Sequence, residues 1–271
     1  SLHCNCEPLL NKNVVNIIKY IKGINPKIFL SFATNGTLLN PSLSRQLIDS
    51  GLDKIMFSID GSSSKTYEKI RLGADFERVV CNLEEFINIK KQKLSRLPEV
   101  EVITVASKEN VYELTKIIRL AIKFGIDSFS VNGLEPYTRE MSKLILYDRA
   151  LSADYEEIFA NLRKIAEEGK IRIKIPSLAI QPYKFCELRG CVIDSNGEVY
   201  PCSVLSYERP YYYLGEKLVH PQKSFGNINE KNFFEIWNSK EYKTFRKELF
   251  KGNLPEYCKN CLMKNGVLCP V

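Results

Sequence analysis

The stretch Ile28 to Gly61, IFLSFATNGTLLNPSLSRQLIDSGLDKIMFSIDG, decides the fold. Its first run, Ile28-Phe29-Leu30-Ser31-Phe32-Ala33, is apolar enough for a buried strand and ends in the turn signal Thr34-Asn35-Gly36. Pro41 to Ser50 then reads as a helix with Leu43, Leu47 and Ile48 on one face and Gly51 as its stop. Lys54-Ile55-Met56-Phe57-Ser58-Ile59 is the next strand, closed by Asp60-Gly61. The same alternation continues downstream. A helix is expected from Phe76 to Lys91 and a strand from Val100 to Val105. Asn110 can cap a helix with a stripe of Val111, Leu114, Ile117, Ile118, Ala121 and Ile122. Phe129 to Asn132 is a further strand, Ala153 to Glu168 a helix, and Ile171 to Ile175 strand-like. Strands alternating with helices of this length make an α/β fold with a parallel sheet. Glu7, Asn35, Asp60 and Asn132 fall just past successive strand ends, the edge where parallel α/β folds gather their sites. Each alone also serves as turn chemistry; four in succession favour a common site.

Composition excludes several classes. Apolar residues make up 44% of the 271 and charged residues 26%, which is globular composition. No apolar run approaches the ~18 residues a membrane span needs. The start, Ser1-Leu2-His3-Cys4-Asn5-Cys6, has neither the basic nor the long apolar region of a secretory signal. It also lacks Met, so a processed, cut or fragmentary chain is expected, in the cytoplasm. The net charge of +7 is spread, with +3 on residues 181–271 and +4 on the rest, which argues against a nucleic-acid footprint. Lys90-Lys91-Gln92-Lys93 is expected to be a solvated helix end.

Cysteines stand at 4, 6, 81, 186, 191, 202, 258, 261 and 269, and most of them follow Pro182. From Gln181 the pattern changes to short β-like pieces around the hairpin signal Asn196-Gly197 and a tyrosine-rich loop, Tyr207 to Tyr213. A helix follows, capped by Ser239 and carrying Tyr242, Phe245, Leu249 and Phe250. A boundary is therefore expected near 180, with residues 1–180 as one domain and 181–271 as a small cysteine-rich α+β domain. Cys258-Lys259-Asn260-Cys261 has a spacing that lets two thiolates reach one metal centre. Cys186 and Cys202 are the other candidate ligands, with Cys191 as competitor; zinc and [4Fe–4S] both accept such a set. Cys81 and Cys4 read as small core residues, and His3 and His220 have no partner motif.

Together these motifs resemble the radical S-adenosylmethionine (radical SAM) enzymes that carry a C-terminal SPASM or Twitch-type auxiliary cluster domain. Cys186, Gly197 and Cys202 match the first part of the SPASM pattern, and Cys258-x-x-Cys261 matches the next. Gly226-Asn227-Ile228 and Glu235-Ile236-Trp237-Asn238-Ser239 resemble its linking segment. Glu7-Pro8-Leu9-Leu10 resembles the family's Gly-Gly-Glu-Pro strand end, with Cys6 where the family has glycine. Thr34-Asn35-Gly36 and Ser58-Ile59-Asp60-Gly61 resemble the next two strand ends, and Arg71 occupies the place of an arginine that follows them.

The resemblance implies a partial (β/α)6 TIM-like barrel followed by the auxiliary domain. It implies a [4Fe–4S] auxiliary cluster on Cys186, Cys202, Cys258 and Cys261. S-adenosylmethionine would be held by Glu7, Pro8, Asn35, Ser58, Asp60 and Arg71. In the family a second [4Fe–4S] cluster, on Cys-x3-Cys-x2-Cys, cleaves S-adenosylmethionine reductively to a 5′-deoxyadenosyl radical that abstracts hydrogen from substrate. No such segment occurs in these 271 residues. The resemblance thus implies that the barrel lacks its first strand and helix, and that the chain is inactive alone. A peptide, protein or small-molecule substrate and a low-potential donor, flavodoxin or ferredoxin, are implied as partners; the catalytic residues and the substrate's identity stay open. The competing readings are a non-catalytic structural module stapled by zinc or an iron–sulfur cluster, and an RNA-binding protein.

Overall fold

The computed structural model describes residues 1–2, 6–146, 153–176, 190–213, 215–259 and 261. Two compact units divide it, one on Ser1–Asn132 and Leu151–Ile175, the other on Gly133–Ala150 and Pro176–Cys269.

The first unit opens with helix α1 (Val14–Ile24) and alternates thereafter: β1 (Ser31–Thr34), α2 (Pro41–Ile48), β2 (Lys54–Ser58), α3 (Ser64–Ile70), α4 (Phe76–Gln92), β3 (Glu99–Ala106), α5 (Leu114–Phe124) and β4 (Ser128–Gly133). After the short α6 (Arg139–Ser142), which lies in the second unit, come α7 (Ala153–Glu168) and β5 (Arg172–Lys174). The five strands form one sheet in the order β1-β2-β3-β4-β5. Registers Thr34↔Phe57, Phe57↔Val102 and Phe129↔Ile173 run parallel. Sequential order and parallel direction are what helix crossovers impose, and this is the α/β barrel-type sheet expected.

Local chemistry explains the elements. Asn40 caps α2 through Leu43 N, and Asp75 caps α4 through Arg78 N. In α4, Phe76, Val79, Leu83, Phe86 and Ile87 make the buried stripe, and Phe86 meets Phe57 of β2 edge-on at 5.8 Å between centroids. Cys81 lies off that stripe and is exposed, not a core residue as expected. Lys90 and Lys91 do close α4, but they are engaged: Lys90 binds Asp127 and Lys91 donates to the Phe124 carbonyl.

The second unit contains two hairpins, β6 (Val192–Ile193) with β7 (Val199–Tyr200) and β8 (Arg209–Tyr213) with β9 (Glu216–His220), then α8 (Phe233–Asn238) and α9 (Lys240–Phe250). Gly197, at φ +87°, makes the β6–β7 turn; a Cβ there would lie 2.5 Å from Asn229 Nδ2. Residues 209–213 are thus a strand, where a loop was expected. Tyr212 N donates outward to Pro136 O, so Pro210, two residues back, turns its missing N–H away from β9. The core of this unit is Val199, Leu205, Ile236, Tyr242, Phe245, Leu249 and Cys258.

Candidate functional site

In the first unit the expected polar residues gather at the C-terminal ends of β1 and β2. Glu7 precedes a 3₁₀ turn, Pro8–Leu10, and crosslinks it to the next strand end. Its Oε1 accepts from Leu9 N at 3.1 Å and Thr34 Oγ1 at 2.7 Å, and its Oε2 accepts from Asn35 N at 2.7 Å. Asn35 Oδ1 accepts from Thr37 N and Oγ1 at 2.9 and 2.7 Å. Pro8 is itself buried, at the start of the 3₁₀ turn. Cys6, in the place of the family's glycine, is exposed.

Asp60 and Arg71 form the second group. The Asp60 Oδ2 accepts from Arg71 Nε and Nη2, both at 2.8 Å, and Oδ1 accepts from Val105 N at 2.7 Å. Burial raises the Asp60 carboxyl above its ordinary value, and Arg71 and the Val105 amide pull it back. Both of these bonds use Arg71 Nε and Nη2, and its side chain is 27% exposed. Asn110 does not cap a helix as expected. Its Nδ2 donates to Asp60 O and Val105 O, each at 2.9 Å, because a 3₁₀ turn, Val111–Glu113, intervenes before α5. Gly61 lets α3 close in: a Cβ there would lie 2.5 Å from Tyr67 N. Glu113 then fixes the loop, accepting from Ser62 N and Oγ at 2.8 Å and Thr66 Oγ1 at 2.5 Å. Burial opposes its charge, but these donors hold its carboxyl below the ordinary value. Ser58 is half-buried at the end of β2. Asn132 lies within β4, half-buried, one residue short of the strand's end.

In the second unit, Cys191 before β6 and Cys202 after β7 pack on the core named above, of which Cys258, in a 3₁₀ turn, is a member. Cys261 N donates to Cys258 O at 3.1 Å, which closes the C-x-x-C turn. Cys186 lies outside the described residues, as do Cys4, Cys269 and His3. Among the described residues no three His, Cys, Asp or Glu side chains are grouped to hold one metal ion.

One cluster in this unit escaped the sequence. His220 is buried at 2% exposure, stacks on Tyr211 at 4.0 Å and contacts Glu135 Oε1 through Nε2 at 3.1 Å. Arg209 pairs with the same carboxylate at 3.2 Å from both oxygens and lies over the rings of Tyr137 and Tyr207. Burial opposes the Glu135 charge, yet His220 and Arg209 hold its carboxyl below the ordinary value. Glu135 lies 74 positions before Arg209 and 85 before His220, so no spacing signal joins it to them.

A parallel α/β sheet with a polar strand-end edge, together with a cysteine-bearing second unit, defines the class. The radical SAM superfamily matches residues 5–98, and SPASM, an iron–sulfur cluster-binding domain, matches residues 185–262. The chain thus carries a radical SAM region and a SPASM domain. It is 29% identical over 268 residues to the tungsten-containing aldehyde ferredoxin oxidoreductase cofactor-modifying protein of Pyrococcus furiosus, covering 96% of this chain and 72% of that one. It is 27% identical to the AdoMet-dependent heme synthase of Methanosarcina barkeri, covering 94% and 74%. Its fold matches Streptococcus suis SuiB bound to S-adenosylmethionine, with a TM-score of 0.63 at 18% identity. That match covers 89% of this chain and 55% of SuiB, so the chain spans about half of that protein's length. Family members use [4Fe–4S] clusters and S-adenosylmethionine. No helix among the described residues is long and apolar enough to cross a membrane.

Proposed function

We propose that this chain is the S-adenosylmethionine-binding and auxiliary-cluster portion of a radical SAM enzyme acting on a peptide or on a small cofactor-like molecule. The observation that carries this reading is the paired polar edge of the sheet, Glu7 with Asn35 and Asp60 with Arg71. When bound with a reduced cluster, S-adenosylmethionine supplies the radical chemistry; the chain's residues bind and orient it. Arg71 offers its remaining Nη1 edge to a carboxylate, a charge-assisted contact. Asp60 holds Arg71 in place and is largely occupied in doing so. Glu7 keeps a lone pair on Oε2 for an ammonium group, and Asn35 is fixed beside it. Ser58 presents a hydroxyl at the same edge.

Cys202, Cys258 and Cys261, with Cys186 or Cys191, are the ligands we assign to the auxiliary cluster. All-thiolate donors from separate segments suit iron–sulfur binding, and Cys191, Cys202 and Cys258 share one core. The names of the relatives support the substrate range: one modifies a tungsten enzyme's cofactor, another makes heme, and SuiB has been solved with a precursor peptide. Anaerobic reconstitution with iron and sulfide tests the reading. Iron uptake that is lost in C202S and C258S is expected. A stoichiometric zinc site without iron uptake would instead mark a structural module. Because these 271 residues contain no Cys-x3-Cys-x2-Cys, a polypeptide of this sequence alone should release no 5′-deoxyadenosine under dithionite.

A further inference from the structure

Helix α9 carries two buried donors beside the cysteines. Arg246 lies over Trp237 and Tyr242, with its guanidinium carbon 4.0 and 4.4 Å from their ring centroids, and its Nη2 donates to Trp237 O at 2.8 Å. Its Nη1 and the Tyr242 phenol oxygen are both buried, and neither has a hydrogen-bond partner among the described residues. No hydrogen bond of good geometry joins the two groups to each other. A buried donor without an acceptor is costly, and its presence points to an acceptor that completes the site.

The neighbours of this pair are sulfur. Cys191 and Cys202 pack on the core that contains Tyr242.

We propose that Arg246 Nη1 and Tyr242 Oη donate to sulfur of the auxiliary cluster and set its reduction potential upward. The assignment rests on the cluster reading above. Reduction adds negative charge, so a fixed cation and hydrogen bonds to sulfur favour the reduced form. The aromatic faces around the guanidinium exclude water, which strengthens the effect. Arginine suits the position because it stays charged when buried and stacks on rings.

The test compares the full chain with R246Q, R246K and Y242F after iron–sulfur reconstitution, by redox titration followed by electron paramagnetic resonance. R246Q should lower the reduced-to-oxidised ratio at the wild-type midpoint about tenfold, which for a one-electron couple is about 59 mV. Y242F should shift it in the same direction by less, and R246K should restore most of the loss. Y242F keeps its ring packing and decides the matter even if R246Q does not fold. Before reconstitution, Y242F should be as stable as wild type or more so, because it removes an orphan hydroxyl. Iron uptake with unshifted potentials in the variants would overturn this assignment alone. A wild-type chain that takes up no iron would overturn the cluster reading and this assignment with it.

Discussion

Asp60 and Glu135 are both carboxylates gripped by arginine, and they differ in how far the arginine reaches water. The Arg71 side chain is 27% exposed beyond Asp60, which leaves an edge for a ligand. Arg209 is only 11% exposed and is enclosed by tyrosine rings, so its pair with Glu135 is structural. Removing one partner of a buried pair strands the other charge, at a cost of about 3–5 kcal/mol. E135Q is therefore expected to destabilise the second unit by that order in urea unfolding, with hydrogen exchange rising in β8 and β9. D60A should destabilise the first unit comparably, because it also leaves the Val105 amide unsatisfied. R71A should cost less stability, since the Asp60 carboxyl is already raised by burial and can protonate. A loss of stability in R71A equal to that in D60A would contradict this division of labour.

At the scale of elements, the starts of β2, β3 and β5 are tied by a charge ladder. Glu99 accepts from Arg172 at 2.9 Å, Lys54 at 3.0 Å and Ser128 at 3.0 Å, and Lys54 also binds Glu101. Burial works against the Glu99 charge, but these donors prevail and bring its carboxyl down to about 2 from an ordinary 4.5. A depressed carboxylate stabilises the fold above its unfolded value, and that contribution fades as pH falls from about 4.5 towards 2. E99Q should flatten the acid limb of the stability curve in that window and leave the neutral-to-alkaline limb unchanged. Strands β1 and β2 were legible in the sequence, because their apolar runs end in Asn-Gly and Asp-Gly turns; α4 was legible from its apolar stripe. Helix α1 was not, because Val14, Val15, Ile17, Ile18 and Ile21 are β-branched and Asn13 makes no side-chain cap. The β8–β9 hairpin was hidden by Pro210, whose tolerance depends on Pro136, far upstream. The strand-end carboxylates were legible individually, but Asn110's two bonds to the Asp60 and Val105 carbonyls depend on tertiary approach and leave no spacing signal.

At the scale of the molecule, each unit carries its own core, and the two are expected to depend differently on metal. The first unit's core rests on many fully buried aliphatic and aromatic side chains, among them Phe32, Ile55, Phe57, Phe86 and Phe129. The second unit's core is small and has Cys191, Cys202 and Cys258 on or within it. Small cores commonly need a staple, and metal that binds only the folded form adds its binding energy to folding. Hydrogen exchange measured with and without iron–sulfur loading separates the two cases. Loading should slow exchange in α8 and α9, and chelation should restore it, while α4 and α5 stay unchanged in both states. Equal slowing in α4 and α5 would mean that the cluster stabilises the chain as one cooperative body; no change in α8 and α9 would mean that the sulfur-bearing core is complete without it.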